Sequence, residues 1–274
     1  LEQLALTHRE RAASKGAVYD GYYPSLHFTY NVSDNLLVRL AYAQTYGRPN
    51  LTEIIPNTTI DEFDLDDPNA IQGNITVTNP ALKPWSADNY DLSVEYYTDQ
   101  GGHFTIGAFH KDVTDFFGTS VFITTLEDTE ALGLDPEYVN WRVTTRLNTG
   151  EAQIRGAEFS VRHSLEPLGG WGRHFTGFVN GTKLQLKGSR LADFAGFVPE
   201  TLNWGLTFSR KPFQLMAKWN YRGRQRNGAQ PAFGADGFTY QKRRLALDVN
   251  LEVQVWKDMI LFFNAQNVFN EPYI

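Results

Sequence analysis

The stretch Arg244-Leu245-Ala246-Leu247-Asp248-Val249-Asn250-Leu251-Glu252-Val253-Gln254-Val255 alternates apolar and polar side chains almost without a break. In an extended chain, successive side chains point to opposite faces. Leu245, Leu247, Val249, Leu251, Val253 and Val255 then share one face. Arg244, Ala246, Asp248, Asn250, Glu252 and Gln254 share the other. A helix would scatter both sets around its circumference. Strands of globular proteins average about 5–6 residues, whereas about 9–11 tilted residues cross a bilayer. This stretch has the membrane length, and Asp248 and Glu252 sit mid-strand on its polar side.

The same pattern recurs along the chain. Leu26, Phe28, Tyr30 and Val32 oppose Ser25, His27, Thr29 and Asn31. Tyr90, Leu92, Val94 and Tyr96 oppose Asn89, Asp91, Ser93 and Glu95. Leu202, Trp204, Leu206 and Phe208 oppose Thr201, Asn203, Gly205, Thr207 and Ser209. Such alternation predicts half-buried antiparallel strands, about 11 of them: 1–13, 25–32, 36–46, 87–98, 103–115, 143–164, 174–187, 201–209, 213–222, 243–256 and 259–268. Tight turns at Ser33-Asp34-Asn35, Asp99-Gln100-Gly101-Gly102, Arg210-Lys211-Pro212 and Lys257-Asp258 alternate with long polar excursions at 47–86, 116–142, 188–199 and 223–241. In a meander, alternate connections emerge at opposite ends of the sheet. Short turns at one end and long loops at the other are how an outer-membrane barrel is built. The predicted fold is therefore all-β: an antiparallel up-and-down transmembrane β-barrel.

Composition narrows the classes. The chain has 274 residues, 42% hydrophobic and 20% charged, and no run approaches the apolar length of a membrane helix. A 14% aromatic content suits interfacial girdles. Tyr46, Trp141, Trp219, Tyr221 and Tyr240 lie near the long loops, and Tyr97, Phe175, Phe213 and Trp256 near the tight turns. With no cysteine there is no disulfide framework or thiolate metal site. A net charge of −6 argues against nucleic-acid binding. The opening Leu1-Glu2-Gln3 shows no basic and apolar leader, so the segment reads as part of a longer exported chain.

Asn79-Pro80-Ala81-Leu82-Lys83-Pro84-Trp85 followed by Asn89-Tyr90-Asp91-Leu92-Ser93-Val94-Glu95-Tyr96-Tyr97 resembles a segment of TonB-dependent outer-membrane receptors, where a long loop re-enters the barrel. Upstream, Pro24-Ser25-Leu26 and the run Arg39 to Asn50 fit the same family. So do Phe109 to Phe116, Gly156-Ala157-Glu158 and Asn267-Val268-Phe269-Asn270 downstream. The resemblance covers essentially the whole chain. It implies a Gram-negative outer-membrane barrel of about 22 strands around an N-terminal plug, taking up a scarce siderophore-like chelate or oligosaccharide under TonB drive. It also implies partners: the TonB complex through the plug, and membrane lipid and lipopolysaccharide. No plug, TonB box or final aromatic strand is recognisable, so residues 1–274 are expected to be the C-terminal half of such a barrel. The rival readings are a passive porin and a soluble carbohydrate-binding protein or hydrolase.

No catalytic motif or cofactor fingerprint is present, and the reading is of a non-enzyme without a resident metal or cofactor. His103 and His110 fall on opposite faces of one strand, and His163 and His174 flank one turn as polar surface. Arg222, Arg224 and Arg226 leave one strand and Lys242, Arg243 and Arg244 enter the next, making a basic rim. That rim suits solvent, lipopolysaccharide phosphates or an anionic ligand, because guanidinium forks match carboxylate and phosphate. With Arg48 and the rings of Trp85, Trp141 and Tyr240, Arg222, Arg224 and Arg226 are the ligand-binding candidates. Asp91, Glu95, Lys111, Glu158 and Arg162 are the predicted lumen-facing groups. Asp61, Glu62, Asp64, Asp66 and Asp67 read as a solvated loop rather than a Ca²⁺ site, and Asp135-Pro136 as the start of a short helical turn.

Overall fold

The computed structural model describes residues 19–63, 71–132, 134–188, 196–229 and 237–272. Its strands are β1 (Ser25–Asn31), β2 (Leu36–Gly47), β3 (Thr58–Glu62), β4 (Gly73–Val77), β5 (Trp85–Tyr97), β6 (His103–Ile123), β7 (Arg142–Ser164), β8 (Phe175–Gly188), β9 (Glu200–Arg210), β10 (Phe213–Arg222), β11 (Gln225–Ala229), β12 (Phe238–Gln241), β13 (Arg244–Trp256) and β14 (Met259–Ala265). Two short helices, α1 (Leu51–Ile54) and α2 (Leu126–Leu132), lie in the first two long loops.

One sheet runs in the order β1-β2-β5-β6-β7-β8-β9-β10-β13-β14, with every wall pair antiparallel. This is the wall of an up-and-down barrel, left open between β1 and β14 among the described residues. The predicted strand at 1–13 lies outside those residues. Connections alternate as expected: short at the β1–β2, β5–β6, β9–β10 and β13–β14 ends, and built up at the other.

Register confirms the two faces. Asp91 pairs with Ala41 and Phe109, Lys111 with Asn89 and Ile154, and Glu95 with Thr105, itself opposite Ser160. Gly107 lies between Ser93 and Glu158, and His103 between Tyr97 and Arg162. Residues directly opposite on neighbouring strands share a face. Asp91, Glu95, Lys111, Glu158 and Arg162 therefore project to one side of the sheet. Leu40, Leu92, Val94, Ile106 and Phe159 project to the other. His103 and His110 fall on opposite sides, as their spacing predicts.

Several expectations need correction. β6 does not stop at 115 but runs 21 residues to Ile123, paired with the upper part of the 23-residue β7. The interruption is a bend. Asp115 has φ 56° and Gly150 φ 110°, and the register shifts between Val113 and Phe117. The alternation breaks there and resumes beyond, as at a β-bulge. Within the first long excursion, β3 and β4 form a hairpin, and β4 runs parallel to β7 through Asn74↔Arg142 to Val77↔Thr145. β11 and β12 similarly pair inside the 223–241 excursion. Tyr97 belongs to the polar face, where its hydroxyl donates to Glu95 at 2.7 Å, and so stands outside the girdle.

The dry core sits in the loops. Ile75, Leu134, Tyr138, Trp141 and Val143 are buried together, with Ile60, Val77 and Phe122 packed against them. Trp141 is 5% exposed and meets the Tyr138 ring edge-on at 5.0 Å. A side chain at Gly73 would overlap that indole, so only glycine lets β4 approach it. The predicted helical turn at Asp135-Pro136 appears as a 3₁₀ turn, Pro136–Tyr138, which delivers Tyr138 to this core.

Candidate binding surface at the long-loop end

Two structures built from loops stand above the wall. The first covers β5–β7. Asn79 folds back on itself, its Oδ1 accepting from the Ala81 N–H at 3.0 Å, while its Nδ2 donates to the Arg146 carbonyl at 2.9 Å. Asn148 answers with a reciprocal pair: its Nδ2 donates to the Lys83 carbonyl at 2.9 Å and its Oδ1 accepts from the Lys83 N–H at 3.0 Å. Leu82 between them is fully buried. Glu53 in α1 accepts from the Asn50 N–H at 3.1 Å and from Arg146 Nη1 at 2.8 Å. The Asn79-Pro80-Ala81-Leu82-Lys83 segment is thus a latch that ties the first long loop to β7. On the other side of this cap, buried Thr124 donates to the Tyr138 carbonyl and accepts from the Trp141 N–H.

The second structure is the basic rim over β10 and β13. Arg222 and Arg244 are directly opposite each other, in line with Asn220 and Ala246, so both project on the polar face at the mouth. Arg222 Nη1 donates to Gln225 Oε1 at 2.9 Å and Nη2 to Gln241 Oε1 at 2.6 Å. The Arg224 guanidinium lies 3.7 Å from the Tyr240 ring centre, and Arg226 lies 4.3 Å from that of Phe238. These are cation–π distances, and they hold the β11–β12 hairpin with its cations displayed. Phe197 bridges to Arg226, which joins the preceding loop to the same rim.

Of the ligand candidates, Arg222, Arg224, Arg226 and Tyr240 are brought together here. The others stand apart on the β2–β7 side. Arg48 lies 5.5 Å from the Tyr46 ring centre and donates to its hydroxyl at 3.2 Å, and Tyr46 itself stacks on Tyr23. Trp85 covers Gly47 and packs toward Phe116 over a small apolar group of Ala87, Val113 and Ala152. Trp141 is the clear correction: its ring is the centre of the loop core and offers no face to a ligand or a membrane interface. Asp61 and Glu62 end β3, whereas Asp64, Asp66 and Asp67 lie outside the described residues. Among the described residues no cluster of three His, Asp or Glu side chains is placed to hold a metal ion.

The polar face below the rim is crossed by ionic and hydrogen-bonded contacts. Arg39 Nε meets Glu95 at 2.9 Å. Asp248 accepts from Asn220 Nδ2 at 2.8 Å and from the Asn267 N–H at 2.9 Å, with Lys218 at 4.0 Å. From sequence, Arg39 appears only at the start of a family-like run and Arg244 only as one member of the basic rim. Each acquires its meaning from the strand beside it, a register that alternation within one strand does not contain.

Strands of bilayer length in an antiparallel meander, with plain turns at one end and built-up loops at the other, define a transmembrane β-barrel wall. The described helices include none long and apolar enough to cross a membrane. The family profile described as TonB dependent receptor-like, beta-barrel, matches residues 6–268. The chain belongs to that family, whose members are outer-membrane transport receptors. Its fold is similar to a point variant of the ferric enterobactin receptor PfeA of Pseudomonas aeruginosa (TM-score 0.69, 16% identity, 91% of this chain and 35% of that one). It is also similar to the siderophore receptor PirA of Acinetobacter baumannii (TM-score 0.63, 17% identity, 91% and 37%). The copper transporter OprC matches likewise (TM-score 0.64, 15% identity, 91% and 35%). The chain thus spans little more than a third of the length of these structures. Compared by sequence with curated proteins, it has no match.

Proposed function

We propose that this chain supplies part of the barrel and extracellular loops of a Gram-negative outer-membrane receptor for an anionic, siderophore-like metal chelate. Uptake is energised by TonB acting through a plug, and no covalent chemistry is involved. The observation that carries the reading is the rim where Arg222 and Arg244 stand opposite each other on the inward face. Two guanidinium groups set side by side on neighbouring strands offer paired forks that match carboxylate or phosphate oxygens. Arg224 and Arg226, held on Tyr240 and Phe238, extend the same field outward, and charged rims of this kind also speed capture of an oppositely charged ligand. Asp91, Glu95, Lys111, Glu158 and Arg162 serve as the hydrated inner wall facing the plug. Copper, siderophores and ferric enterobactin are what the similar structures are described as handling. That range agrees with a metal-bearing cargo and disfavours a passive porin.

The test is binding of a ferric tris-catecholate to the intact receptor carrying Arg222→Gln and Arg244→Gln. Loss of two charge-assisted contacts, each worth about 1.5–3 kcal/mol, predicts weakening of at least tenfold, with any binding of a neutral oligosaccharide unchanged. Unchanged chelate affinity sinks the assignment.

A further inference from the structure

The basic rim is not uniform. Past the buried Gly223, the run Arg224-Gln225-Arg226-Asn227 alternates cation and carboxamide, and Phe238-Thr239-Tyr240-Gln241 answers it across the hairpin. Gln225 pairs directly with Gln241, and Arg226 with Tyr240. Because successive side chains of an extended chain point to opposite sides, the β11–β12 hairpin has two different faces. On one, Arg224 lies over the Tyr240 ring and Arg226 over that of Phe238. On the other, Gln225 and Gln241 stand side by side, and both reach Arg222 at the end of β10.

Arg222 is therefore held by oxygens that carry no charge. Its Nη1 donates to Gln225 Oε1 at 2.9 Å and its Nη2 to Gln241 Oε1 at 2.6 Å. Gln225 is fixed in turn: its Nε2 donates to Asn227 Oδ1 at 3.1 Å, which leaves its oxygen turned toward the arginine. All four residues are half-buried. Carboxylates in the neighbourhood are engaged elsewhere. Glu200 accepts from the Tyr221 hydroxyl at 2.9 Å on the outward face. Asp248 is on the inward face but four residues along β13 from Arg244, about 13 Å away. It accepts from Asn220 Nδ2 and the Asn267 N–H. Among the described residues Arg222 forms no ion pair.

A carboxylate at position 225 or 241 would grip the guanidinium harder, since charge-assisted hydrogen bonds are roughly twice as strong as neutral ones. It would also cancel the charge. An amide oxygen orients the group and leaves its charge whole, and further N–H donors remain on the same guanidinium for a ligand. Ordering a long side chain before the ligand arrives lowers the cost of binding. We infer that Gln225 and Gln241 are positioning and selectivity residues of the rim, a role that rests on the rim being the chelate site. As neutral acceptors they fix Arg222 over the mouth with its positive charge uncompensated, which favours an oxygen-anion ligand. The rim arginines then differ in role. Arg222 contacts the anion, whereas Arg224 and Arg226, held by Tyr240 and Phe238 on the opposite face, attract it from a distance.

The test uses the intact receptor in detergent micelles, with retained folding confirmed by its heat-dependent shift on gels. Affinity for a ferric tris-catecholate is measured over a range of salt concentrations. Gln225→Met combined with Gln241→Met keeps the bulk and the rim charge but removes both acceptors. Binding should weaken about fivefold, with the salt dependence of the parent. Gln241→Glu is nearly isosteric and sets a carboxylate on Arg222. Binding should weaken at least about tenfold, with a flatter salt dependence because one cation has been neutralised. Parent-like affinity in the methionine variant overturns the positioning role. A glutamate variant that keeps the parent's affinity, or loses it with the parent's salt dependence, overturns the selectivity role, since a merely structural contact would leave the salt dependence unmoved. Arg222→Gln separates this role from the rim itself. If it weakens binding while the glutamine variants do not, the role of Gln225 and Gln241 fails and the rim stands. If Arg222→Gln binds as the parent does, or the parent binds no chelate, the rim falls and the role of the two glutamines falls with it.

Discussion

Ile106 in the wall is 62% exposed, while Ile75 in the loop cap is fully buried, although both sit in β-strands beside other apolar side chains. The difference marks two kinds of folding problem in one chain. On the wall, Leu26, Phe28, Leu92 and Ile106 lie in the open because the phase that covers them is lipid. Their strands hold together through backbone pairing, which must be complete where no water can substitute. In the cap, β3, β4 and the tops of β6 and β7 close over Trp141 and Tyr138 as a small water-soluble protein would, excluding solvent by packing. A lesion in one region should therefore leave the other standing.

The sharpest way to break that distinction is Trp141→Ala. Truncating a buried tryptophan costs about 3–5 kcal/mol, most of what so small a core supplies. Limited proteolysis should then cut within residues 58–77 and 124–141, while the barrel keeps its heat-dependent gel mobility. If the wall unfolds with the cap, the two are a single cooperative unit and the comparison fails.

The reciprocal lesion is Ile106→Arg on the lipid face, expected to cost about 2–4 kcal/mol where the residue is near mid-bilayer and less toward the interface. Its measure is the urea midpoint for folding into lipid vesicles. Thr105→Arg, one residue away and on the polar face, should be tolerated far better. Equal penalties would mean that the faces have been assigned the wrong way round.

A milder change loosens the join between the regions. Asn79→Ala removes the fold-back to Ala81 and leaves the Arg146 carbonyl without its side-chain donor, at a cost of about 1–3 kcal/mol. Hydrogen exchange should quicken across residues 79–85 and leave β9 and β10 unaffected. Exchange that stays slow would assign the anchoring to Leu82 and Asn148 instead.

Period-two alternation was legible for the wall because one rule, greasy outside and wet inside, repeats on every strand. It fails where geometry departs from that rule. Asp115 and Gly150 introduce a bend, and the strand beyond them reads as loop until its pairing with residues 142–148 is seen. Thr58–Glu62 and Gly73–Val77 are too short to show a period, and β4 is stabilised by its neighbours β3 and β7. Aromatic side chains near a strand end look alike in sequence whether they line a membrane interface, stack on a ligand or fill a core. Trp141 proved to be core because Gly73, far away in the chain, opens a space against its ring. The rim was partly readable as a cluster of Arg222, Arg224 and Arg226. The facing of Arg222 with Arg244, and of Arg39 with Glu95, depends on register between strands, which no local pattern encodes.

The smallest expected effect lies within the cap itself, at the start of α2. Thr125 precedes the helix, and its hydroxyl accepts from the Asp128 N–H at 3.2 Å. Asp128 Oδ2 accepts in return from the Thr125 N–H at 2.8 Å and from its hydroxyl at 2.7 Å. This is a capping box with aspartate in place of glutamate. The Thr125 hydroxyl, and then its backbone N–H, holds the Asp128 carboxyl below the usual aspartate range. A carboxylate whose pKa is depressed in the folded state stabilises the helix above its unfolded pKa. That contribution disappears as pH falls through the depressed folded value. Acidification should therefore fray residues 125–132 before the wall responds, with exchange rates there rising as pH drops. Thr125→Ala should weaken the pH dependence by removing the larger of the two donors that create it, while the backbone N–H of residue 125 stays in place. A helix that frays at the ordinary aspartate pKa in both proteins would show that the cap is held by Leu134 and Tyr138 packing alone, with no help from its first turn.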